Sequence, residues 1–472
     1  MILRRFSQSP PDQFLFLAFV VLFIWLPLPL GSNRQWAVSL MEVWVIGISA
    51  TWLCLAFVNK VQFEDVFKKS KWVLICLALF LAWQLIQLMP LPSPLLALIS
   101  PQSLELHGAD AEGVSISVNK VLGISHLLES MSYGLIFCLT LVLLNTTRRI
   151  KIFAMAIVFS GLFQALYGSF MTLSGSESIF FMDKVSSLGA ASGTFVNRNH
   201  LAGYLEMTLA IGIGLMLATL SRRPSHSFRD WLRSFVGTLL SSKARLRIML
   251  AIMVIALVLT RSRMGNTAFF TSLAIAGVIG LVGLWWLTRQ GKISRFAMKP
   301  ISILFVSLIA IDLFIVGAWF GIDKVKDRIE NTSFATEIRD EVDINTIDHW
   351  RDFTLTGSGG GTFAEVFPHY KSALFPGYID HAHNDYLELG SEYGIIGIVL
   401  LGVAVLLSLS QAIQSQFIRR SYFMRGIGFA SSMGIVAILV HSTVDFNLHI
   451  PSNAALFIVL LGFAWLSRYQ PN

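Results

Sequence analysis

The chain has 472 residues, of which 54% are hydrophobic and only 14% are charged, and its mean hydropathy is +0.66. A soluble domain carries about 25% charged residues, so this composition excludes an ordinary soluble protein. The net charge of +8 would suit nucleic acid, but the basic residues cluster in loops between apolar runs, so no nucleic-acid partner is expected.

Long apolar runs recur along the chain, and each can cross a bilayer as a helix. The predicted fold class is therefore an all-α polytopic membrane protein. Twelve spans are predicted, at residues 14–30, 36–58, 72–89, 121–144, 151–173, 201–220, 246–260, 264–287, 300–320, 390–411, 425–441 and 453–467. The first could be a signal peptide, but Pro27, Pro29 and a second long span favour an uncleaved anchor. The cysteines lie in apolar runs and are predicted to be small buried hydrophobes: Cys54, Cys76 and Cys138.

Most lysines and arginines fall on the inner side if the N-terminus is cytoplasmic, which places both termini in the cytoplasm. The predicted organisation is nine helices in residues 1–320, a periplasmic loop subdomain in 321–389 and three helices in 390–472. Nearly all polar clusters that could carry chemistry then share the outer face. We find no internal repeat, which weakens a transporter interpretation.

Three arginines lie at the outer ends of predicted spans, where lysine and arginine are otherwise scarce: Arg198, Arg261 and Arg263. A guanidinium group offers a rigid fork that matches phosphate oxygens. Diphosphate binding is predicted for at least one of Arg198 and Arg263, with interface anchoring or ion pairing as the alternative. The polar neighbours of Arg198 either cap the following helix or contact substrate: Asn197, Asn199 and His200.

The long outer loop divides into two parts. Residues 323–352 mix charges with Ile and Val and lack Gly and Pro, which predicts a helix along the membrane face. Residues 357–363 read Gly-Ser-Gly-Gly-Gly-Thr-Phe, too rich in glycine for a helix interior. Their backbone N–H groups could approach a phosphate, or the segment could be a turn between two helices.

Two histidines, His381 and His383, close this loop just before an apolar helix. A neutral histidine suits a general base that takes a proton from an attacking hydroxyl, and His383 is the stronger candidate. With Asp380 and Asp385 the pair could instead bind a metal, but the loop has no third His or Cys at a suitable spacing. No metal site is therefore predicted, and a structural role for the histidines is the remaining alternative.

Other polar residues have weaker patterns. Four acidic residues fall inside predicted spans and are candidate functional groups: Glu42, Glu129, Glu206 and Asp312. Another outer cluster either closes the site or packs against the long loop: His441, Asp445, Asn447 and His449.

The chain has no nucleotide-binding motif, and the outer face has no supply of ATP. A reaction there requires a substrate that is already activated. A lipid-linked diphosphate glycan meets this requirement, because the diphosphate is the leaving group. Arg198 and Arg263 could hold it, and His383 could activate the acceptor hydroxyl.

A resemblance to a known family adds to these residues. His383-Asn384, nine further residues and Gly394-Ile-Ile-Gly397 resemble the His-[Asn/Ser/Gln]-x9-Gly-x-x-[Gly/Thr/Tyr] signature of the O-antigen ligase superfamily. That superfamily also contains polysaccharide polymerases and protein O-oligosaccharyltransferases. Three further blocks resemble its recurring segments, each weakly: 193–205, 261–265 and 357–363.

The resemblance implies a metal-independent, inverting glycosyltransferase of the GT-C type, without a cofactor, that uses an undecaprenyl-diphosphate-linked glycan. It makes His383 the general base and assigns the diphosphate to Arg198 and Arg263, with Arg261 beside them. A further loop arginine of the ligases has no clear counterpart; Arg351 is the first choice and Arg339 the second. The secondary candidates are Asn199, His381, Asn384 and Asp385, and the glycines of the signature are expected to permit close helix packing.

The acceptor is less defined. The segment 442–451 resembles that of exopolysaccharide polymerases, which favours a lipid-linked glycan acceptor. A ligase that uses the lipid A core and a protein transferase are the alternatives, and a lipid-linked glycan transporter is the alternative outside enzymes. The expected location is the bacterial inner membrane with a periplasmic active site, in contact with the bilayer and with envelope polysaccharide-assembly proteins.

Overall fold

The computed structural model describes residues 10–108, 113–218, 242–292, 334–371 and 377–471. The α-helices there are α1 (Gln13–Trp25), α2 (Gln35–Phe57), α3 (Asp65–Lys69), α4 (Lys71–Leu88), α5 (Ser93–Ile99), α6 (Pro101–His107), α7 (Lys120–Leu143), α8 (Thr147–Leu173), α9 (Arg198–Ala218), α10 (Ser242–Leu259), α11 (Arg263–Arg289), α12 (Phe334–Asp352), α13 (Phe363–Val366), α14 (Asp385–Ile418), α15 (Tyr422–His441) and α16 (Pro451–Tyr469). Two short antiparallel strands, β1 (Ser178–Ile179) and β2 (Met182–Asp183), form a hairpin between α8 and α9.

Nine helices in the described ranges are long and apolar enough to cross a membrane: α2, α4, α7, α8, α9, α11, α14, α15 and α16. The prediction of an all-α polytopic membrane protein is confirmed. The predicted span 14–30 corresponds to α1, which has 13 residues, and span 246–260 corresponds to α10, which is not among the nine. The predicted span 300–320 lies outside the described residues, so the count of twelve stays a prediction.

The centre of the bundle is formed by α9, α15 and α16, whose residues are mostly buried, whereas α2, α4 and much of α14 expose apolar side chains. Helix α9 packs most extensively on α15. Gly214 and Gly426 face each other there, and a Cβ on either residue would collide with the carbonyl oxygen of the other. Small residues at this contact let the two backbones approach closely, as is common between membrane helices.

Helix α14 is broken near its start. Gly394 has φ +64° and ψ −173°, a conformation that is essentially restricted to glycine. The glycine-rich segment docks on this break: Ser358 N donates to Ser391 O at 2.8 Å, and Ile395 N donates to Thr354 O at 2.8 Å. Gly394 therefore terminates a helix segment, rather than only permitting helices to pack closely as the sequence suggested.

The glycine-rich segment behaves as a turn between two helices, α12 and α13. Gly357, Gly359 and Gly361 all have positive φ. The N–H group of Gly359 donates to Glu392 O at 2.9 Å. The amides of Gly359 and Ser358 are thus already hydrogen-bonded to α14, so these two N–H groups are not available to bind a phosphate.

Two other sequence predictions can be compared with the structure. The predicted loop helix is observed as α12, and its first residues, 323–333, lie outside the described residues. The cysteines are free, as predicted, but they are not buried: Cys54 is exposed, and Cys76 and Cys138 are partly exposed. Each lies on a helix with apolar side chains on its outer surface, so a hydrophobic position there need not be an interior one.

Candidate active site

The candidate base, His383, lies in the turn that leads into α14. Its backbone has φ +55°, and its Nδ1 atom is buried without a hydrogen-bond partner among the described residues. Asn384 caps the helix, because its Oδ1 accepts hydrogen bonds from Tyr386 N and Leu387 N at 3.1 and 3.3 Å. Asn384 also donates to Thr443 O at 3.0 Å, so its side chain positions the turn.

Burial and the positive charge of Arg339 lower the pKa of the His383 imidazole below its usual value of 6.5. Desolvation penalises the charged ring, and a nearby cation adds to that penalty. A neutral imidazole with a free nitrogen can accept a proton.

One aromatic ring lies at the centre of the histidines. The Phe446 ring packs against His381, His383 and His200, with centroid distances of 4.3, 4.9 and 4.6 Å. These imidazoles come from two segments far apart in sequence. The segment between α15 and α16, which the sequence predicted either to close the site or to pack against the long loop, thus contributes Phe446 to this cluster.

A charged network lies behind the turn. Glu388 accepts hydrogen bonds from His381 Nδ1 at 2.7 Å and from the Ala382 N–H group at 2.8 Å. His449 Nδ1 lies 2.9 Å from Asp385 Oδ1, and its Nε2 lies 3.4 Å from Glu388 Oε1. Burial opposes the charged form of His449, but Glu388 and Asp385 outweigh it and raise its pKa to about 10. His449 is therefore an imidazolium that neutralises two buried carboxylates.

The same network has the donor atoms of a metal site. His381, Glu388 and His449 each offer one ligand atom, all within 4.8 Å of one another. This triad has no local sequence pattern, because His449 comes from another segment. Two ligands of a tetrahedral zinc ion, each at about 2.0 Å, lie roughly 3.3 Å apart. The 2.7 Å contact of His381 with Glu388 is shorter and fits a hydrogen-bonded ion pair.

A polar cavity of about 510 Å³ opens beside the histidines. Arg198, at the start of α9, and Arg339, on α12, both line it, as does Asp380 in the loop before α14. The other lining residues are Asn33, Ser186, Ser187, Leu188, Val196, Asn197, Asn199, His200 and Phe446. The cavity thus brings two cations next to Phe446, on which His383 packs.

The asparagines beside Arg198 have separable roles. Asn197 caps α9, because its Oδ1 accepts a hydrogen bond from Asn199 N at 2.9 Å. The Arg198 N–H group donates to Ser187 Oγ at 3.1 Å, which ties the helix start to the preceding loop. Asn197 therefore both caps α9 and lines the cavity, while Asn199 lines the cavity.

The other predicted arginines are outside this cavity lining. Arg261 is exposed with φ +54°, and its guanidinium lies beside Gly189 in the loop that borders the cavity. Arg263 is exposed in the first turn of α11. Arg351 is also exposed and pairs with Asp348 at 2.8 Å. Of the two loop arginines considered from the sequence, Arg339 is the one that lines the cavity.

Two of the four acidic residues predicted inside spans, Glu206 and Glu129, have a side-chain partner within the described ranges. Glu206 and His441 are fully buried and face each other, with Nδ1 and Oε1 2.8 Å apart. Glu129 accepts a hydrogen bond from Tyr133 Oη at 2.6 Å, and Glu42 is buried on α2. Asp312 lies outside the described residues.

Comparison with known proteins gives one match, to a protein-family model. No curated protein matches the chain. A family model described as O-antigen ligase matches residues 248–402, which include Arg261, Arg263, Arg339 and His383. The match covers α11, α12, the glycine-rich segment and the first part of α14. The match supports the resemblance of this chain to the O-antigen ligase and polymerase superfamily.

Proposed function

We propose that this protein transfers a glycan from an undecaprenyl-diphosphate-linked donor to an acceptor hydroxyl on the periplasmic face of the bacterial inner membrane. The observation that carries the proposal is the unpartnered Nδ1 of His383 beside a cavity lined by Arg198 and Arg339. The family match supports glycosyl transfer of the O-antigen ligase or polymerase kind.

In this mechanism neutral His383 takes the proton of the acceptor hydroxyl. The acceptor oxygen attacks the anomeric carbon, and the bond from that carbon to the diphosphate oxygen breaks. A single displacement inverts the anomeric configuration. Arg198 and Arg339 neutralise the diphosphate, and Arg261 adds positive charge from beside the loop that borders the cavity. These arginines supply the charge that a metal ion would otherwise provide. Arg263 remains a candidate for diphosphate binding from the sequence alone.

The proposed acceptor is a second lipid-linked glycan, which makes the protein a polysaccharide polymerase. A cavity of about 510 Å³ has room for a few sugar units near the base rather than for a folded protein segment. Transfer to the lipid A core or to a protein are the alternative acceptor classes.

The base is tested by His383→Ala in purified protein supplied with lipid-linked glycan donor and acceptor. Loss of a general base lowers turnover by about 10²- to 10⁴-fold, so product formation should nearly vanish. His369→Ala is the matched control, because His369 is an exposed histidine of the same loop. Wild-type turnover by His383→Ala, at equal folded protein, would remove His383 from the chemistry.

Metal independence is tested separately with the wild-type protein in EDTA. Full activity is expected, because the arginines supply the positive charge. If activity falls with EDTA and returns with a divalent ion, the triad of His381, Glu388 and His449 holds a metal and the proposal of a metal-free mechanism is wrong.

Deletion of the gene distinguishes the acceptors. Loss of a polymerase leaves single repeats, whereas loss of a ligase leaves long chains on the lipid carrier. A normal polysaccharide profile with an unmodified glycoprotein would instead identify a protein transferase. Single repeats are the outcome that we expect.

A further inference from the structure

His200 and Asp445 form a buried pair at the wall of the cavity. His200 lines the cavity and is 4% exposed, and Asp445 is 1% exposed. The His200 Nε2 atom lies 3.5 Å from Asp445 Oδ1. That distance is long for a hydrogen bond, but catalytic hydrogen bonds often tighten only when substrate is bound.

Asp445 is held as a carboxylate. Burial alone would raise its pKa, but the adjacent His200, His441 and the Phe446 amide lower it well below its ordinary value. The Phe446 N–H group donates to Asp445 Oδ1 at 2.9 Å. A buried carboxylate of this kind requires hydrogen-bond donors or positive charge nearby, and His200 is the neighbour of Asp445 that lines the cavity.

His383 and His200 both pack on Phe446 but have neighbours of opposite charge. The charge of Arg339 acts on His383, whereas the carboxylate of Asp445 lies 3.5 Å from His200, and each ring has a nitrogen without a hydrogen-bond partner among the described residues. A cation beside one histidine and a carboxylate beside the other is the pattern of a base and an acid that act together. The ring of Phe446 separates them by contact with both.

We infer that His200, oriented by Asp445, is the general acid that protonates the departing lipid diphosphate. This inference rests on the proposed function and adds a second catalytic residue to it. His200 is the residue that touches the leaving group, and Asp445 is a positioning residue.

The proton balance closes with these two histidines. The acceptor O–H bond breaks and its proton passes to His383, while the acceptor oxygen forms the new bond to the anomeric carbon. The bond from that carbon to the diphosphate oxygen breaks, and its electron pair stays on the oxygen. His200 donates its Nδ1 proton to that oxygen, because Nε2 is the ring nitrogen beside Asp445, 3.5 Å from its Oδ1. Exchange of both protons with water resets the site.

A second pair shows what a purely structural arrangement looks like here. His441 and Glu206 are closer, at 2.8 Å, and neither side chain has any exposed surface or lines the cavity. The His200–Asp445 pair is looser and opens to the cavity. Substrate in the cavity can therefore reach His200 but not His441.

The test compares His200→Gln, His200→Ala and Asp445→Asn with the wild-type protein, using purified undecaprenyl diphosphate as the binding probe. The affinity for this lipid should be unchanged, because a general acid acts on the transition state. The kcat should fall by about 10²-fold or more in His200→Gln and by less in Asp445→Asn. The double variant should be no slower than His200→Gln, because the two residues act as one unit.

Added imidazole should restore part of the kcat of His200→Ala, since the ring fits the space that the substitution leaves beside the cavity. His369→Ala should keep the wild-type kcat and show no response to imidazole, because His369 is exposed and does not line the cavity.

Two outcomes would overturn the inference. Wild-type kcat in His200→Gln excludes an acid role. Weaker binding of undecaprenyl diphosphate with normal kcat would make His200 a binding residue instead. Both leave the proposed function intact if His383→Ala is inactive. If His383→Ala is active, the proposed function fails by its own test.

Discussion

At the scale of single residues, His383 is defined by its backbone as much as by its ring. A non-glycine residue at φ +55° stores strain of order 1–3 kcal/mol. The strain is held by bonds on both sides of the residue: Ala382 N to Glu388, and Asn384 to Thr443. The imidazole is therefore fixed in direction before any substrate arrives, which is what a general base requires.

Arg339 should set the pH range in which His383 works. After burial, its positive charge is the main cause of the lowered pKa of His383. A base acts in its neutral form, so a lowered pKa keeps the wild-type enzyme active as the pH falls below 6.5. In Arg339→Gln the pKa of His383 should rise, and the acid limb of kcat/KM should move to higher pH. The measurement is the rate profile from about pH 5 to 8.

Arg351→Gln is the control for this prediction. Arg351 lies on the same helix but is exposed and pairs with Asp348. Its loss should leave the acid limb in place. The shift in Arg339→Gln should be modest, because the Arg339 side chain is exposed and solvent screens its charge. Equal shifts in both variants would mean that net charge, and not the cavity arginine, sets the pKa of His383.

At the scale of elements, α14 has two functional parts. Its first turns carry Asp385 and Glu388, which hold His449 and His381. Its longer second part runs through the apolar bundle. The break at Gly394 separates the parts. It is held by the hydrogen bond from Ile395 N to Thr354 O and by the bond from Gly359 N, in the glycine-rich segment, to Glu392 O. The position of His383 thus depends on a contact of Ile395, which is more than ten residues further along the chain.

Gly394→Ala should disable the enzyme without touching the cavity. A side chain at this φ and ψ costs about 1–3 kcal/mol, and its Cβ would collide with Leu355 O. We expect a lower thermal midpoint in detergent and loss of glycan transfer. Gly402→Ala is the control on the same helix, because a Cβ there would meet no atom within 4 Å. If Gly394→Ala were as stable and active as Gly402→Ala, the break would have no role in the site.

At the scale of the whole molecule, the candidate site lies at one end of the helix bundle. Helices α9, α11 and α14 begin there, and α15 ends there. Helix α11 has 27 residues and therefore spans about 40 Å. Lys292, just beyond its end, lies at the opposite end of the bundle from the cavity. The two ends should therefore face different compartments.

Cysteine labelling tests this orientation. In a variant without the three native cysteines, Ser186→Cys at the cavity should react with a membrane-impermeant maleimide from the periplasm. Lys292→Cys should react only after the inner membrane is opened. The native cysteines are free, so their removal breaks no disulfide. The reverse pattern would place the cavity in the cytoplasm and contradict the proposed lipid-linked donor on the outer face.

Much of the fold followed from the sequence because hydropathy reports membrane spans directly. The site followed only in part. His383 was proposed as the base from its own segment, and capping was one of two roles predicted for Asn197. The sequence did not point to Glu388 and left the role of His449 open, because tertiary contacts join these two residues and no local pattern does. Arg339 and Arg351 are arginines of the same helix, and the sequence cannot show that only Arg339 lines the cavity.

Phe446 gives the site a property that a list of residues does not contain. Its single ring supports His200, His381 and His383 together. The three imidazoles are therefore not independent parts: a rotation of this phenyl group would displace all of them at once. Movement of Phe446 would therefore change the positions of all three imidazoles together. The proposed base for the acceptor, His383, and the proposed acid for the donor, His200, thus depend on packing against the same phenyl ring.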